Sequence, residues 1–106
     1  MSAPLVPSEL LDPVVAYFQP RRVILFGSAA RGEAGPDSDY DLLVVLDDDT
    51  PADKLSLRAG YEARRSYRRS ADVIPVREQV FRRNMGIAGT LSREAAESGV
   101  IVFERT

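Results

Sequence analysis

The fold of this chain is decided by residues 23–46, which read VILFGSAARGEAGPDSDYDLLVVL. Two apolar runs, Val23–Phe26 and Leu42–Leu46, have the length of short strands. Neither run alternates with polar residues, which is typical of strands that are buried on both faces. A Gly-Ser pair, a short helical-looking segment and a glycine-rich polar loop separate them. The pattern predicts two central strands of one small sheet.

The remaining sequence supplies elements that flank these two strands. Apolar spacing predicts two further strands and four helices. The strands are expected at Asp72–Val76 and Val100–Phe103, and the helices at Ser8–Phe18, Ala52–Arg69, Glu78–Arg83 and Thr90–Ser98. The predicted fold class is therefore α/β (α+β), with a small mixed β-sheet of about four strands flanked by helices. The length of 106 residues fits a single domain, 1–106.

Several local signals refine these elements. Ser8 or Asp12 is the expected N-cap of the first helix. Gly60 should weaken the long helix by about 1 kcal/mol relative to Ala. Pro75 removes a backbone donor, so the third strand is expected at a sheet edge or beside a bulge. Gly99 is the expected C-terminal stop of the last helix.

The composition excludes several kinds of chemistry. The chain has no Cys and no His, so disulfides, thiolate zinc sites and a histidine general base are all excluded. A net charge of −2 gives no reason to expect direct nucleic-acid binding. No apolar run approaches the ~20 residues of a membrane span, so a cytoplasmic protein is expected. Catalysis would have to use carboxylates, hydroxyls, Arg and bound ions.

Gly27 and Ser28 stand where the first strand gives way to a helical turn. Unpaired N–H groups at a helix start attract phosphate, and glycine lets the phosphate approach the backbone. Ser28 can cap the turn while offering a hydroxyl. Many strand-to-helix turns use Gly-Ser for geometry alone, and that alternative stays open on these two residues.

Two aspartates lie at the start of the second strand run, and a third opens the next strand. Asp39 and Asp41 are two residues apart, which places them on one side of a strand about 6.6 Å apart along it. Asp72 reaches the same place if its strand neighbours the second one. Three carboxylates that converge repel unless a cation is present, and oxygen ligands without His or Cys favour Mg²⁺. The alternative is a solvated strand end, where Asp is common.

These motifs together resemble the DNA polymerase β-like nucleotidyltransferase superfamily. Gly27-Ser28, ten intervening residues and Asp39-x-Asp41 match its signature, and Asp72 in ADVIPV matches its third carboxylate. The string GSAARGEAGPDSDYDLLV is similar to that of its minimal nucleotidyltransferase (MNT) branch, and the tail TLSREAAESGVIVFER is similar to its closing helix and strand. The resemblance covers nearly the whole chain after residue 20 and implies a polymerase β-like fold.

The resemblance also implies a reaction. A nucleoside triphosphate, ATP by preference, would lie on Gly27 and Ser28, with two Mg²⁺ ions on Asp39 and Asp41. Asp72 would join one ion and help to deprotonate an incoming hydroxyl. That hydroxyl would attack the α-phosphorus as pyrophosphate leaves. Arg31 could reach a phosphate or form an ion pair with residue 33 or 37.

The acceptor of the nucleotide is left open between three hypotheses. MNT proteins are commonly encoded beside a HEPN-domain toxin and act as antitoxins, which implies AMP transfer to a hydroxyl of that partner. The second hypothesis is transfer to a small molecule such as an aminoglycoside, with the chain forming a homo-oligomer. The third is a binding module that neutralises its partner by contact. Arginines of the long helix, with Arg82 and Arg83, form either a solvated face or a docking surface for an acidic partner or RNA.

Overall fold

A computed structural model of the protein describes residues 5–32 and 39–105. Within these ranges the chain forms four α-helices and four strands. In chain order they are α1 (Ser8–Phe18), β1 (Arg22–Phe26), β2 (Tyr40–Leu46), α2 (Leu57–Ala63), β3 (Ala71–Arg77), α3 (Glu78–Asn84), α4 (Leu91–Ser98) and β4 (Val100–Glu104). A single turn of 3-10 helix, Ala52–Leu55, precedes α2. No helix in these two ranges is long and apolar enough to cross a membrane.

The strands form one mixed sheet in the order β3-β2-β1-β4. β1 is antiparallel to both β2 and β4, whereas β2 and β3 are parallel. The predicted central position of the first two strands is therefore confirmed, and so is the mixed sheet. Pro75 lies in β3 at an edge of the sheet, as its missing N–H predicted.

Side chains from the two faces of the sheet enter two separate apolar clusters. Alternate residues of a strand point to opposite faces, so Leu42 and Val44 lie on one face and Leu43 and Val45 on the other. The first face packs against α1 and α2, and the second packs against Phe81 and other residues of α3 and α4. Both central strands are buried on both faces, which explains their unbroken apolar sequence.

The prediction of one long helix over Ala52–Arg69 is wrong. The chain instead forms the 3-10 turn, an extended residue at Ser56, and the seven-residue α2. The Ser56 hydroxyl accepts a hydrogen bond from the Ala59 N–H, so it starts a new helix at this point. After Ala63 the chain turns, and the Arg64 side chain donates a hydrogen bond to the Tyr67 carbonyl. The polar sequence after Ala63 therefore closes a turn where a longer helix was expected.

The predicted N-cap of α1 is also wrong, although the helix itself has the predicted bounds, Ser8–Phe18. Pro7 occupies the N-cap position and no side chain caps the helix. Asp12-Pro13 lies in the middle of α1, where Pro13 has no N–H to donate to the Glu9 carbonyl. Gln19 ends the helix in a left-handed conformation immediately before Pro20. In α4 the Thr90 hydroxyl accepts from the Arg93 N–H, and Gly99 is the C-cap as predicted.

Gly60 has a packing role that its sequence context did not indicate. The helix α2 crosses so close to β3 that a Cβ atom built on Gly60 would overlap the backbone carbonyl oxygen of Val73. Glycine therefore allows the helix backbone to contact the strand directly. The cost of glycine in helix propensity is offset by this close approach, which holds β3 against the sheet.

A buried carboxylate connects α3 to β1. Glu78 is 6% exposed and accepts hydrogen bonds from Arg22, at 2.9 Å and 3.1 Å, and from Arg82 at 2.9 Å. Burial by itself raises the pKa of Glu78, but the hydrogen bonds from Arg22 and Arg82 outweigh it and hold that pKa below its ordinary value. The ion pair therefore favours the folded state wherever Glu78 is ionised.

Replacing Glu78 by Gln should lower the free energy of unfolding by about 2–3 kcal/mol at neutral pH, because a charge-assisted network loses its acceptor. A carboxylate whose pKa is lowered by folding stabilises above its unfolded pKa and loses that contribution as pH falls through the folded pKa. The difference between the two proteins should therefore shrink well below pH 4.5, the ordinary value. Urea unfolding at several pH values measures it. Glu97→Gln, which breaks only an exposed pair with Arg93, should change stability by about 0.5 kcal/mol or less.

Candidate active site

Strand register brings two of the three predicted carboxylates side by side. In the parallel pair of β2 and β3, Asp41 lies directly opposite Asp72. Both precede, by two residues, side chains that face α3 and α4, so alternation places both carboxylates on that face of the sheet. Asp41 is half-buried and Asp72 is exposed at the sheet edge. The crossover through α2 therefore assembles a carboxylate pair from positions thirty-one residues apart in sequence.

Gly27 lies against this pair from the other side. Phe26, the last residue of β1, is the register partner of Asp41. Gly27 follows with φ at 78°, a left-handed conformation that side chains rarely adopt, and a Cβ built on it would overlap the Oδ2 atom of Asp41. The Ala30 and Arg31 N–H groups both donate to the Gly27 carbonyl, so the expected helical turn forms as a hydrogen-bonded turn only.

Replacing Gly27 by Ala should displace the Asp41 carboxylate. The nucleotidyl transfer that the sequence resemblance implies should fall at least about a hundredfold, because small misplacements of reacting groups cost that much. The variant also strains the backbone, at a cost of about 1 kcal/mol or more. Gly89→Ala is the matched control, since Gly89 also has a positive φ, 87°, but nothing lies within 4 Å of its Cβ position. Equal activity losses in the two variants would show that contact with Asp41 is not the cause.

The electrostatic state of Asp41 reflects its neighbours. Burial is the largest influence and raises its pKa, followed by the charge of Asp72 and a hydrogen bond between the two carboxyl groups. More distant charges on Asp39 and Glu94 raise the pKa further. The negative charges of Asp72, Asp39 and Glu94 therefore all act on Asp41. This concentration of negative charge lowers the stability of the folded protein at neutral pH.

Asp39 and Arg31 both lie outside the strands that carry the carboxylate pair. Asp39 is exposed and lies just before β2, which begins at Tyr40, so it is not part of the strand that carries Asp41. Within residues 5–32 and 39–105, no three acidic side chains lie close enough together to form a metal site. Arg31 is exposed at the end of the Gly27 turn, and residues 33 and 37, its expected ion-pair partners, lie outside the described residues. The site roles of Asp39, Arg31 and the other named residues stay predictions.

Glu94 is a residue that sequence reasoning missed. It lies on α4, fifty-three residues after Asp41, and its charge raises the Asp41 pKa. In the sequence it is one of several acidic residues on a short amphipathic helix, and nothing in its spacing relates it to the strand aspartates. Only the packing of α4 against the sheet reveals its proximity.

The chemistry of the Asp41–Asp72 pair fits a hard divalent cation. Burial and the charge of Asp72 raise the pKa of Asp41, so the pair forms a site of excess negative charge when both groups are ionised. Carboxylate oxygens are the ligands that Mg²⁺ prefers. Asp41 and Asp72 are therefore the residues that would hold an ion, and the charge of Asp39 also acts on Asp41.

Several of the arginines that could have formed a docking surface have contacts within the protein, and one of them, Arg65, pairs with Glu62. Arg64 donates to the Tyr67 and Arg69 carbonyls, and Arg82 is paired with Glu78. Arg58 and Arg83 are exposed. Part of the arginine cluster therefore stabilises the fold, and only the remainder is available as a charged surface.

Comparisons with known proteins show a similar fold and a matching family. A protein from Sulfolobus solfataricus, described as a "putative nucleotidyltransferase", has a similar fold, with a TM-score of 0.59, 23% identity, and coverage of 92% of this chain and 77% of that one. A toxin-antitoxin crystallised with AMP-PNP is similar with a TM-score of 0.61, 14% identity, and coverage of 95% and 76%. No curated protein matches significantly. The nucleotidyltransferase domain family matches residues 8–102. The chain therefore belongs to the nucleotidyltransferase domain family.

Proposed function

We propose that this protein is a Mg²⁺-dependent adenylyltransferase that moves AMP from ATP to a hydroxyl group of a partner protein. The observation that carries the proposal is the in-register pair of Asp41 and Asp72 beside Gly27, within a nucleotidyltransferase domain. Phosphoryl chemistry requires mainly positioning and neutralisation of charge, and both can be supplied without histidine or cysteine.

The residues of the site have separate roles in this proposal. Gly27 and Ser28 form the turn that receives the triphosphate, since a glycine backbone leaves room for phosphate oxygens. Asp39, Asp41 and Asp72 are the residues that would hold two divalent ions. When bound, the ions supply positive charge that neutralises the phosphates and stabilises the attacking and leaving oxygens. Arg31 contacts a phosphate from the end of the Gly27 turn.

Asp72 has a further role in preparing the acceptor. It is the most exposed member of the pair because β3 is an edge strand, so an incoming hydroxyl can reach it from solvent. Its carboxylate accepts the hydroxyl proton as the oxygen attacks the α-phosphorus, and pyrophosphate leaves. A carboxylate next to a second carboxylate and close to bound ions suits this task.

The partner we propose is a HEPN-domain toxin, which would make this protein the antitoxin of the pair. Support comes from the resemblance of the motif to the MNT branch and from the fold similarity to a toxin-antitoxin crystallised with an ATP analogue. The exposed arginines suit an acidic partner surface.

The proposal is tested by incubating the purified protein with α-labelled ATP, Mg²⁺ and the protein encoded by the adjacent gene. Label should appear on that protein, depend on Mg²⁺, and be located by mass spectrometry on a hydroxyl side chain. Transfer to an aminoglycoside and none to the protein would overturn the assignment of the acceptor. Protection of cells by an inactive aspartate variant would show instead that the partner is neutralised by contact.

A further inference from the structure

An apolar groove with a volume of about 700 Å³ lies on the face of the sheet that carries α3 and α4, towards the edge strand β4. Its floor is formed by Ile24 of β1 and Ile101 of β4, which are register partners. Phe81 and Met85 of α3 form one wall, and Ala95 of α4 forms part of another. Ile101 is 52% exposed and Met85 is 43% exposed, so the two helices leave the β4 side of this face partly uncovered.

A row of four charged side chains crosses one end of the groove. The Glu104 carboxylate of β4 lies 3.8 Å from the Arg22 guanidinium of β1. Arg22 in turn lies 2.9 Å from Glu78 of α3, which also accepts from Arg82 at 2.9 Å. From β4 to α3 the charges of this row are therefore negative, positive, negative and positive. The two inner side chains are largely buried, whereas the side chains at the ends, Glu104 and Arg82, are 59% and 68% exposed.

This charge row is complementary to itself under a twofold rotation. In a symmetric dimer whose axis runs along the groove, the β4 side of each copy faces the α3 side of the other. Glu104 of each copy then faces Arg82 of the other copy, and Arg22 faces Glu78, so opposite charges meet along the whole row. In the apolar part of the groove, Ile101 of each copy faces the α3 wall of the other. One rotation therefore matches both the charged and the apolar parts.

The same pattern disfavours a partner of a single charge. A nucleic acid or an acidic helix laid across the charge row would meet two carboxylates as well as two guanidinium groups, and like charges in contact oppose binding. Arg82 donates to Glu78 through Nε, and a guanidinium bonded in this way can still bind a second carboxylate through its terminal nitrogens. Ten residues line the groove, whereas a standard interface uses about 20–30 residues a side, so we expect a weak and reversible dimer.

We propose that this groove is the contact surface between two copies of the chain in a symmetric dimer. Ile101 fills the apolar part, and two reciprocal pairs of Arg82 with Glu104 fix the orientation. The inference goes beyond the proposed adenylyl transfer and does not rest on it. The groove lies at β1 and β4, whereas Asp72 lies on β3 at the opposite edge of the sheet, so the contact does not include the carboxylate pair.

Sedimentation velocity of the purified protein tests the dimer. The wild type should pass from monomer to dimer between about 1 µM and about 1 mM, the range of a weak interface. Ile101→Ser should raise the dissociation constant at least about a hundredfold, because an apolar contact worth about tenfold is lost twice in a symmetric dimer. Leu57→Ser is the matched control, since Leu57 is 77% exposed on α2 and should leave the association unchanged.

A charge exchange tests the orientation of the two copies. Arg82→Glu alone should not dimerise, because two pairs of carboxylates would meet, and Glu104→Arg alone should not dimerise, because two pairs of guanidinium groups would meet. An equimolar mixture of the two variants should associate again, since residue 82 of each variant then faces the opposite charge at residue 104 of the other. A general loss of stability would not be repaired by mixing. Thermal melting establishes that each variant is folded.

Three results would overturn the dimer. The first is a wild type that stays monomeric over the whole concentration range. The second is association that Ile101→Ser leaves unchanged, which would place the contact elsewhere on the protein. The third is a mixture of the two charge variants that stays monomeric while Glu104→Arg is folded. A monomeric wild type that binds the protein encoded by the adjacent gene, and loses that binding with Ile101→Ser, would assign the groove to that protein instead.

Discussion

Asp41→Asn and Asp72→Asn should each reduce AMP transfer by about a thousandfold while leaving the protein at least as stable as the wild type. Each replacement removes one negative charge from the pair that is proposed to hold divalent ions and, for Asp72, the group that accepts the hydroxyl proton. Loss of one preorganised electrostatic contribution in an active site costs about 10²–10³ in rate, and these residues combine several such contributions. Single-turnover labelling with α-labelled ATP measures the effect.

The stability of these variants follows from the Asp41 pKa, which is raised in the folded protein above 3.8. The folded state then binds more protons than the unfolded state, so stability falls as pH rises from 3.8 through the raised pKa. Asn carries no charge, and the Asp41→Asn variant should lose this pH dependence. Its melting temperature at neutral pH should equal or exceed that of the wild type.

Addition of Mg²⁺ should make the melting temperature of the wild type higher than that of the Asp41→Asn variant. An ion that binds only the folded state stabilises it by mass action, so Mg²⁺ should raise the melting temperature of the wild type but not of the Asp41 variant. Asp49→Asn, at an exposed position after β2, is the control and should affect neither activity nor the response to Mg²⁺. A marked loss of stability in Asp41→Asn without Mg²⁺ would contradict the proposed repulsion.

Gly60→Ala should destabilise the protein by about 1–3 kcal/mol or more, although helix propensity alone predicts a gain of about 1 kcal/mol. The new methyl group would overlap the Val73 carbonyl oxygen, which belongs to backbone and has little freedom to move. Either α2 moves away from β3 or the strand shifts in register. Urea unfolding gives the change in the free energy of unfolding.

Gly86→Ala is the matched control, because nothing lies within 4 Å of a Cβ at that position and its φ is not positive. It should change stability by no more than about 0.5 kcal/mol. A shift of β3 in Gly60→Ala would also carry Asp72 away from Asp41, so activity should fall even under conditions where the variant is folded. A fully active Gly60→Ala protein would show that the contact between helix and strand is not required.

The sequence predicted the fold best for strands that are buried on both faces, because such strands require unbroken apolar runs. The unbroken apolar runs of β1 and β2 predicted central strands, and Pro75 predicted an edge, because a missing N–H restricts where a strand can pair. The end of the last helix was predicted well because Gly99 is a strong stop signal. These features depend on the chemistry of single residues or short runs.

Other features depend on packing that sequence spacing does not encode. The division of the predicted long helix into a 3-10 turn and α2 depends on the Ser56 cap and on the approach of Gly60 to Val73. The proximity of Glu94 to Asp41 depends on how α4 lies on the sheet. Asp39 was expected on the strand with Asp41, but β2 begins one residue later, so alternation does not fix where its side chain points.

The parallel pairing of β3 has a consequence for local opening. β3 has a neighbour on one side only, joins the sheet through a long-range crossover, and begins with a carboxylate opposite another carboxylate. The outer backbone groups of an edge strand have no neighbouring strand to pair with, so their amide protons exchange sooner than those of the core. Detachment of the first residues of β3 would dismantle the carboxylate pair while β1, β2 and β4 stay folded. Catalytic competence would then be lost by a partial opening of the sheet, well before the protein unfolds.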